Sequence, residues 1–246
     1  MRKGRIKIVL TTVFAVLAAV FFMSLVKQKK VLLNKMFIRE SDVVGVDVSE
    51  YQDVIDMNEL ARQNISFVII RATEGSSLVD ARFAENWGNA HHSSLTAGAY
   101  HFFSFDSPGT TQAENFINTV GDLNNDLIPV VDVEFYGDKN ENPPAKEDVQ
   151  RELKTYLDIL EERYGVKPMI YCARPIWENY IKDAFGEYPL WVRSVYYPAW
   201  FEFGSKWTMW QYQDTGILNG SSGGEMYIDL NVLNKNFSIE ELMVRE

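Results

Sequence analysis

Ile128-Pro-Val-Val-Asp132-Val-Glu134-Phe135 is the stretch on which the fold of this chain turns. It is an apolar run rich in β-branched residues, the composition of a strand with both faces covered. Side chains two apart on a strand point to the same side, so Asp132 and Glu134 leave it in one direction. Neighbouring carboxylates do not ionise independently, and one of the two pKa values should rise. An acid that keeps its proton near neutral pH is suited to protonating a glycosidic oxygen. Glu134 is therefore the candidate general acid, with Asp132 modulating it and stabilising a positive transition state.

Working outward, seven further apolar runs read as strands: 43–48, 67–72, 96–103, 169–173, 190–194, 207–212 and 226–230, with 127–135 making eight. They are short, rich in Val, Ile, Tyr and Phe, and bounded by Gly, Pro, Asp or Asn. Helical patterns cover 57–63, 81–92, 111–120 and 146–164. In the last of these Val149, Leu153, Tyr156, Leu157 and Leu160 fall at helical spacing, and Gly165 with Pro168 stops it. Strands alternating with helices imply parallel pairing through crossovers, and eight such strands imply a barrel. After Leu190 the intervals are too short and aromatic for full helices. The expected fold is α/β, an irregular TIM-like β/α barrel preceded by one N-terminal transmembrane helix.

That helix is residues 8–26, whose polar members are Thr11, Thr12 and Ser24. At 1.5 Å per residue it spans about 28 Å, close to the thickness of bilayer hydrocarbon. The small residues Ala15, Ala18 and Ala19 lie mid-run, poorly placed for cleavage of a signal peptide. The division expected is a cytoplasmic tip and signal-anchor over 1–26, a basic linker over 27–41, and a catalytic barrel over 42–240. Basic residues flank the anchor on both sides, so charge does not set its orientation.

Nine of the 24 basic residues but one of the 34 acidic residues lie before residue 41, which leaves 15 basic and 33 acidic beyond, a net charge near −18. Such a surface repels nucleic acid and anionic lipid, and acidic wall polymers as well, so a tether compensates for weak electrostatic capture. The single cysteine, Cys172, sits in an apolar run and reads as a core thiol. No HExxH motif, Cys/His ligand spacing, Gly-x-Ser-x-Gly elbow or phosphate loop is present, so neither a metal nor another cofactor is expected. Gly75, Gly98 and the Gly223-Gly224 pair read as turns and close packing.

In a parallel barrel the site forms where strands end. Asp47, Glu74, Asp132, Glu134 and Asp229 recur at those places, and several carboxylates converging on one mouth point to chemistry. Glu74 is equally suited to binding substrate and to bracing its neighbour strand. Aromatics crowd the last eighty residues, and sugar rings stack on such faces. Tyr171 and Trp191 are the candidates for a glycan groove, whereas Trp200 and Trp207 are as readily core. His101 reads as a hydrogen-bonded support rather than a catalyst.

Several ordered pieces resemble glycoside hydrolase family 25, the Chalaropsis-type muramidases. These are Val44-Gly45-Val-Asp47-Val-Ser49-Glu-Tyr51-Gln52, Ile70-Arg-Ala-Thr-Glu74-Gly75, Ala97-Gly-Ala-Tyr100-His101-Phe102 and Pro129-Val-Val-Asp132-Val-Glu134. Pro168-Met-Ile-Tyr171, Leu190-Trp191-Val, Trp210-Gln211-Tyr212 and Ile228-Asp229-Leu-Asn231 follow in order. The resemblance implies hydrolysis of the β-1,4 bond between N-acetylmuramic acid and N-acetylglucosamine in peptidoglycan. It implies Glu134 as proton donor, with Asp47, Asp132 and Asp229 lining a site to which Tyr100, Tyr171, Trp191 and Gln211 also belong. It further implies either direct attack by a carboxylate or assistance from the substrate's acetamido group, with Asp132 then orienting that group. Arg193-Ser194, after Trp191-Val192, departs from the family pattern, which has a small residue there. Orientation follows from the substrate: anchored in the cell membrane by a single pass, the barrel is expected outside the cytoplasm. Two alternatives stand beside this reading, a hydrolase of another amino sugar polymer such as chitin and a non-catalytic wall-binding scaffold.

Overall fold

The computed structural model describes residues 2–29, 32–221 and 223–245, with side chains from Leu10 onward. Lys30 and Val31, within the stretch read as a linker, lie outside the described residues, as do Met1 and the side chains of the basic residues that precede the apolar run. Helix α1 (Arg2–Lys27) is continuous over 26 residues, about 39 Å. Its segment Leu10–Lys27 has a mean hydropathy of 2.1 and is almost wholly exposed, long and apolar enough to cross a bilayer.

Nine strands form one sheet: β1 (Val44–Val48), β2 (Phe67–Glu74), β3 (Leu78–Val79), β4 (Thr96–Phe102), β5 (Val130–Val133), β6 (Met169–Ala173), β7 (Leu190–Arg193), β8 (Met209–Gly216) and β9 (Ile228–Leu233). Because β1 pairs with both β2 and β9, the sheet closes into an eight-stranded barrel, with β3 a short antiparallel flap on β2. Helices α2 (Met57–Ala61), α3 (Phe83–His91), α4 (Gly109–Val120) and α5 (Lys146–Tyr164) cross between early strands. The predicted apolar stripe of α5 is buried in full, and Gly165 closes the helix at φ 71°. Between β7 and β9 the described residues hold only one short helix, Ala199–Phe203.

Seven barrel strands run parallel, but β9 runs against both β8 and β1. The expectation of parallel pairing throughout fails there because the β8–β9 connection, about a dozen residues, carries no helix among its described residues; a parallel return needs a longer crossover. β5 is also shorter than the apolar run suggests. Leu127 and Ile128 donate their N–H groups to Ala97 O and Leu242 O, and Pro129 has none to give. The ladder of β5 therefore begins at Val130.

Interior and wall are both tightly filled. A Cβ on Gly45 would lie 2.3 Å from the ring of Phe67, and one on Gly98 3.0 Å from Leu127. Where the later strands lack crossover helices, the N-terminal segment covers them. Leu33–Phe37 forms a 3₁₀ turn, and the buried Asn34 donates from Nδ2 to Ser194 O at 2.7 Å and Tyr212 O at 3.0 Å. Phe37 meets Trp200 edge-on, and Trp200 in turn meets Trp210. The stretch read as linker thus touches the barrel at Lys29, through Asp214, and packs on it from Asn34 onward. At the other terminus Leu242 and Val244 are buried, and Met243 pairs with Leu127.

Gly45→Ala is expected to lower unfolding free energy by about 1–3 kcal/mol through overpacking against Phe67. Phe67→Leu in the same chain should recover part of that loss in denaturant titrations. An unchanged midpoint for Gly45→Ala alone would mean that the ring has room to move.

Candidate active site

One cleft gathers almost every candidate. It is open to solvent, takes in about 710 Å³ with its mouth, and is lined among others by Asp47, Tyr100, Asp132, Glu134, Tyr171, Trp191, Gln211 and Asp229. These come from seven strands at one end of the barrel. Asp47, Asp132 and Glu134 lie at or just beyond the carboxyl ends of parallel strands. Asp229 reaches the same mouth for the opposite reason: it is the second residue of the antiparallel β9, where it pairs with Asp47.

The floor of the cleft is a chain of hydrogen bonds between side chains on five strands. Tyr171 Oη donates to Gln211 Oε1 at 2.9 Å, and Gln211 Nε2 donates to Asp47 Oδ2 at 3.0 Å. The same carboxylate oxygen accepts from Asn231 Nδ2 at 2.7 Å, while Asn231 Oδ1 accepts from Trp191 Nε1 at 2.9 Å. Each amide is thereby fixed in orientation, and Asp47 is held as an acceptor. Trp191 and Tyr171 also meet edge-on, their ring centres 4.6 Å apart. The two aromatic side chains expected to line a groove form its rigid base.

Four carboxyl groups share this site, and burial raises the pKa of each. Asp132 stands well above the usual carboxylate range because it is desolvated and faces Glu134 and Asp47, with Arg71 opposing. Glu134 is raised by desolvation, partly offset by Arg193 and reinforced by Asp47. Asp47 is raised by burial and drawn back by its amide hydrogen bonds. Asp229 is pushed up to about 9, by burial first and then by Asp47 and Asp214. The sequence indicated that one pKa of the Asp132–Glu134 pair rises; both do, because the cleft desolvates both and Asp47 of β1 adds to the effect on each. Asp132 Oδ1 is buried without a hydrogen-bond partner in the protein, which leaves it free for a ligand.

Other candidates fall outside the cleft. Glu74 does not line it and lies 3.8 Å from the Arg71 guanidinium, bracing its own strand. Trp200 and Trp207 pack around Trp210 on the outer wall. His101 is fully buried, with Nδ1 2.7 Å from Thr73 Oγ1 and Nε2 3.0 Å from Gln112 Oε1. Burial lowers its pKa to about 4, so it is a neutral support, as its place in an apolar strand suggested. Cys172 is buried and its thiol is pushed far up by desolvation. Among the described residues no three His, Cys, Asp or Glu side chains are grouped as a metal ion requires.

Arg71 and Asn231 went unrecognised as site residues. Arg71 donates to Asp80 at 2.8 Å and to Glu50 at 2.7 Å, lies 5.0 Å from the ring centre of Tyr51, and faces Asp132. Its signal was a lone cation in the apolar strand Phe67–Glu74. Asn231 carried none, because an amide two residues after an acid is common.

Fold and site together are those of a barrel glycoside hydrolase with a carboxyl-lined cleft. Residues 46–221 match the glycosyl hydrolases family 25, and the chain belongs to that family. Lysozyme M1 of Streptomyces globisporus is 31% identical over 210 residues, which cover 79% of this chain and 68% of that protein. The structure of a family 25 glycosyl hydrolase from Bacillus anthracis aligns with a TM-score of 0.75 at 47% identity, over 81% of this chain and 93% of that one. A bacterial lysozyme from Streptomyces coelicolor aligns with a TM-score of 0.70 at 29% identity, over 82% and 95% of the two chains.

The protonation of Asp229 has a measurable consequence. A carboxyl whose pKa is higher folded than unfolded contributes stability that is complete below the unfolded value and is lost as pH rises through the folded one. For Asp229 that window runs from 3.8 to about 9. Asp229→Asn, which keeps the donor and removes the ionisation, should raise the melting temperature by roughly 2–4 °C at about pH 8. The difference should vanish near pH 4. Equal differences at both pH values would show that Asp229 is ionised in the fold.

Proposed function

We propose that this chain is a muramidase, hydrolysing the β-1,4 bond between N-acetylmuramic acid and N-acetylglucosamine in peptidoglycan, with Glu134 as proton donor. The observation that carries the reading is the cleft itself: Asp132 and Glu134 side by side, both desolvated, with Asp47 and Asp229 completing an acidic mouth. A carboxyl held protonated above its usual range gives its proton to the departing oxygen, while the remaining carboxylates stabilise the positive charge that grows on the sugar ring.

The unpartnered Asp132 Oδ1 favours acetamido assistance over direct carboxylate attack. In that course Asp132 accepts the N–H of the substrate's 2-acetamido group, whose carbonyl oxygen bonds to the anomeric carbon as the glycosidic bond breaks. Glu134 protonates the leaving oxygen. Water then opens the cyclic intermediate and returns its proton to Glu134. Tyr171, Gln211, Asn231 and Trp191 hold Asp47 and the floor in place, and Tyr100 lines the wall.

Helix α1 supports a tethered enzyme, anchored in the cell membrane with the barrel on the outer side, where peptidoglycan lies. Tethering confines cutting to glycan close to the bilayer, which suits remodelling of the cell's own wall. A chain in which α1 is exchanged for a cleavable secretion signal should lose wall remodelling in cells while keeping activity on isolated walls. Full cellular function without α1 would remove the tether from the account.

Purified peptidoglycan treated with the protein should release products that end, after borohydride, in reduced muramic acid. Glu134→Gln should lower the rate by about 10³-fold or more, and Asp132→Asn by about 10²-fold or more. Walls whose muramic residues are de-N-acetylated should resist cleavage. Wall binding without bond cleavage at any pH would make this a scaffold, and release from chitin in preference to walls would reassign the substrate. Because Glu134 must carry its proton, kcat/KM should hold above the usual carboxylate range and fall as pH rises through the raised pKa of Glu134. A profile already falling near pH 4.5, the ordinary value for a glutamate, would sink that assignment.

A further inference from the structure

One of the two cations of this acidic site is held from outside the barrel. Arg193 ends β7 and faces Glu134, Asp47 and Asp229. Its Nη2 also lies 2.8 Å from Asp214 Oδ2, and the same oxygen is 2.7 Å from Lys29 Nζ. Lys29 stands two residues beyond the end of α1 and also sits 5.9 Å from the ring centre of Tyr196. The segment that Lys29 begins then grips the same two strands through their backbones. Asn34 binds Ser194 O, next to Arg193, and Tyr212 O, next to Gln211.

We propose that Lys29 and Asn34 are a working part of the rim of the cleft, in which Asn34 seats the turn on β7 and β8 while Lys29 neutralises Asp214 and so leaves Arg193 to face Glu134. Lys29 is a positioning residue: it touches neither substrate nor the reacting atoms. Without it, Asp214 carries one cation instead of two and draws Arg193 toward itself. The groups facing Glu134 are Asp132 on its own strand, Asp47 from β1, Asp229 from β9, Arg193 from β7, and Tyr171 and Cys172 from β6. Arg193 is the one cation in that set, so its placement governs how tightly Glu134 keeps its proton. Asp214 faces Lys29, Arg193 and Asp229. Because Lys29 immediately follows the apolar helix, the clamp also joins the membrane-side segment to the rim of the cleft.

The inference rests on the hydrolase reading, and its test separates the two. Full-length protein in detergent micelles is assayed on soluble muropeptide oligomers across pH. Lys29→Ala should move the basic limb of kcat/KM upward by about 0.5 in pH, since Glu134 loses part of its compensating charge. Lys29→Arg should restore the original profile. Asp214→Asn should move the limb the other way, because Arg193 is then freed toward Glu134, and opposed shifts are not what a merely structural role produces. Lys35→Ala, an exposed lysine in the same segment, should change nothing. A ¹³C-carboxyl titration, with the Glu134→Gln spectrum assigning the resonance, reads the same displacements without turnover. Superimposable titrations for the Lys29→Ala and Asp214→Asn proteins would overturn the clamp whether or not the protein is active. Absence of hydrolysis by the unsubstituted chain would instead overturn the muramidase reading.

Discussion

Asp47 Oδ2 is the atom on which the site depends. It accepts one hydrogen bond from Gln211 of β8 and another from Asn231 of β9. Those amides in turn accept from Tyr171 of β6 and Trp191 of β7. Five strands are thereby tied across the mouth of the barrel by groups that each have one satisfying orientation. A buried carboxylate is costly unless its oxygens are hydrogen-bonded, and this network supplies the bonds. It also holds two bulky aromatics at fixed angles without strained backbone, since none of the positive-φ residues lies in these strands.

The same closure that builds the network creates electrostatic tension. Eight strands bring Asp47, Asp132, Glu134 and Asp229 into one cleft, and water cannot screen them from each other there. Burial and this repulsion raise the pKa of all four, that of Asp229 to about 9, so the cluster holds protons more tightly than exposed carboxyls do. Arg71 on β2 and Arg193 on β7 stand on opposite sides of the group, the first moderating Asp132 and the second moderating Glu134. In the proposed mechanism stability and acid catalysis are coupled: the protonation that eases repulsion in the cluster is the one a glycosidic oxygen consumes.

The irregular half of the barrel is where the remaining features meet. Late strands without crossover helices leave their outer faces bare, and the N-terminal segment and aromatics such as Phe37, Trp200 and Trp210 cover them. The turn that fills this gap lies close to Arg193 at the end of β7 and Asp214 within β8. The departure at Arg193-Ser194 makes sense in that setting. Arg193 reaches the acid cluster, and Ser194 donates its hydroxyl to Tyr197 O while its carbonyl accepts from Asn34 and Trp210.

What the sequence determined by itself was local and periodic. Alternation placed Asp132 and Glu134 on one face, helical spacing located α5 to the residue, and an unbroken apolar run marked α1. Ordered motifs placed the acids at strand ends, and six of the seven proposed binding residues line the cleft; Glu74 is the exception, drawn off by Arg71. Only the tertiary structure decided how strands 160 residues and more apart come into register. The antiparallel return of β9, the bonds from Gln211 and Asn231 to Asp47, and the seat of Asn34 on β7 and β8 all join residues far apart in the chain. Periodicity records which face of an element is buried, not which distant partner buries it. Partnership across the mouth was therefore decided by barrel closure, where hydrogen-bond satisfaction and charge balance among remote side chains are settled together.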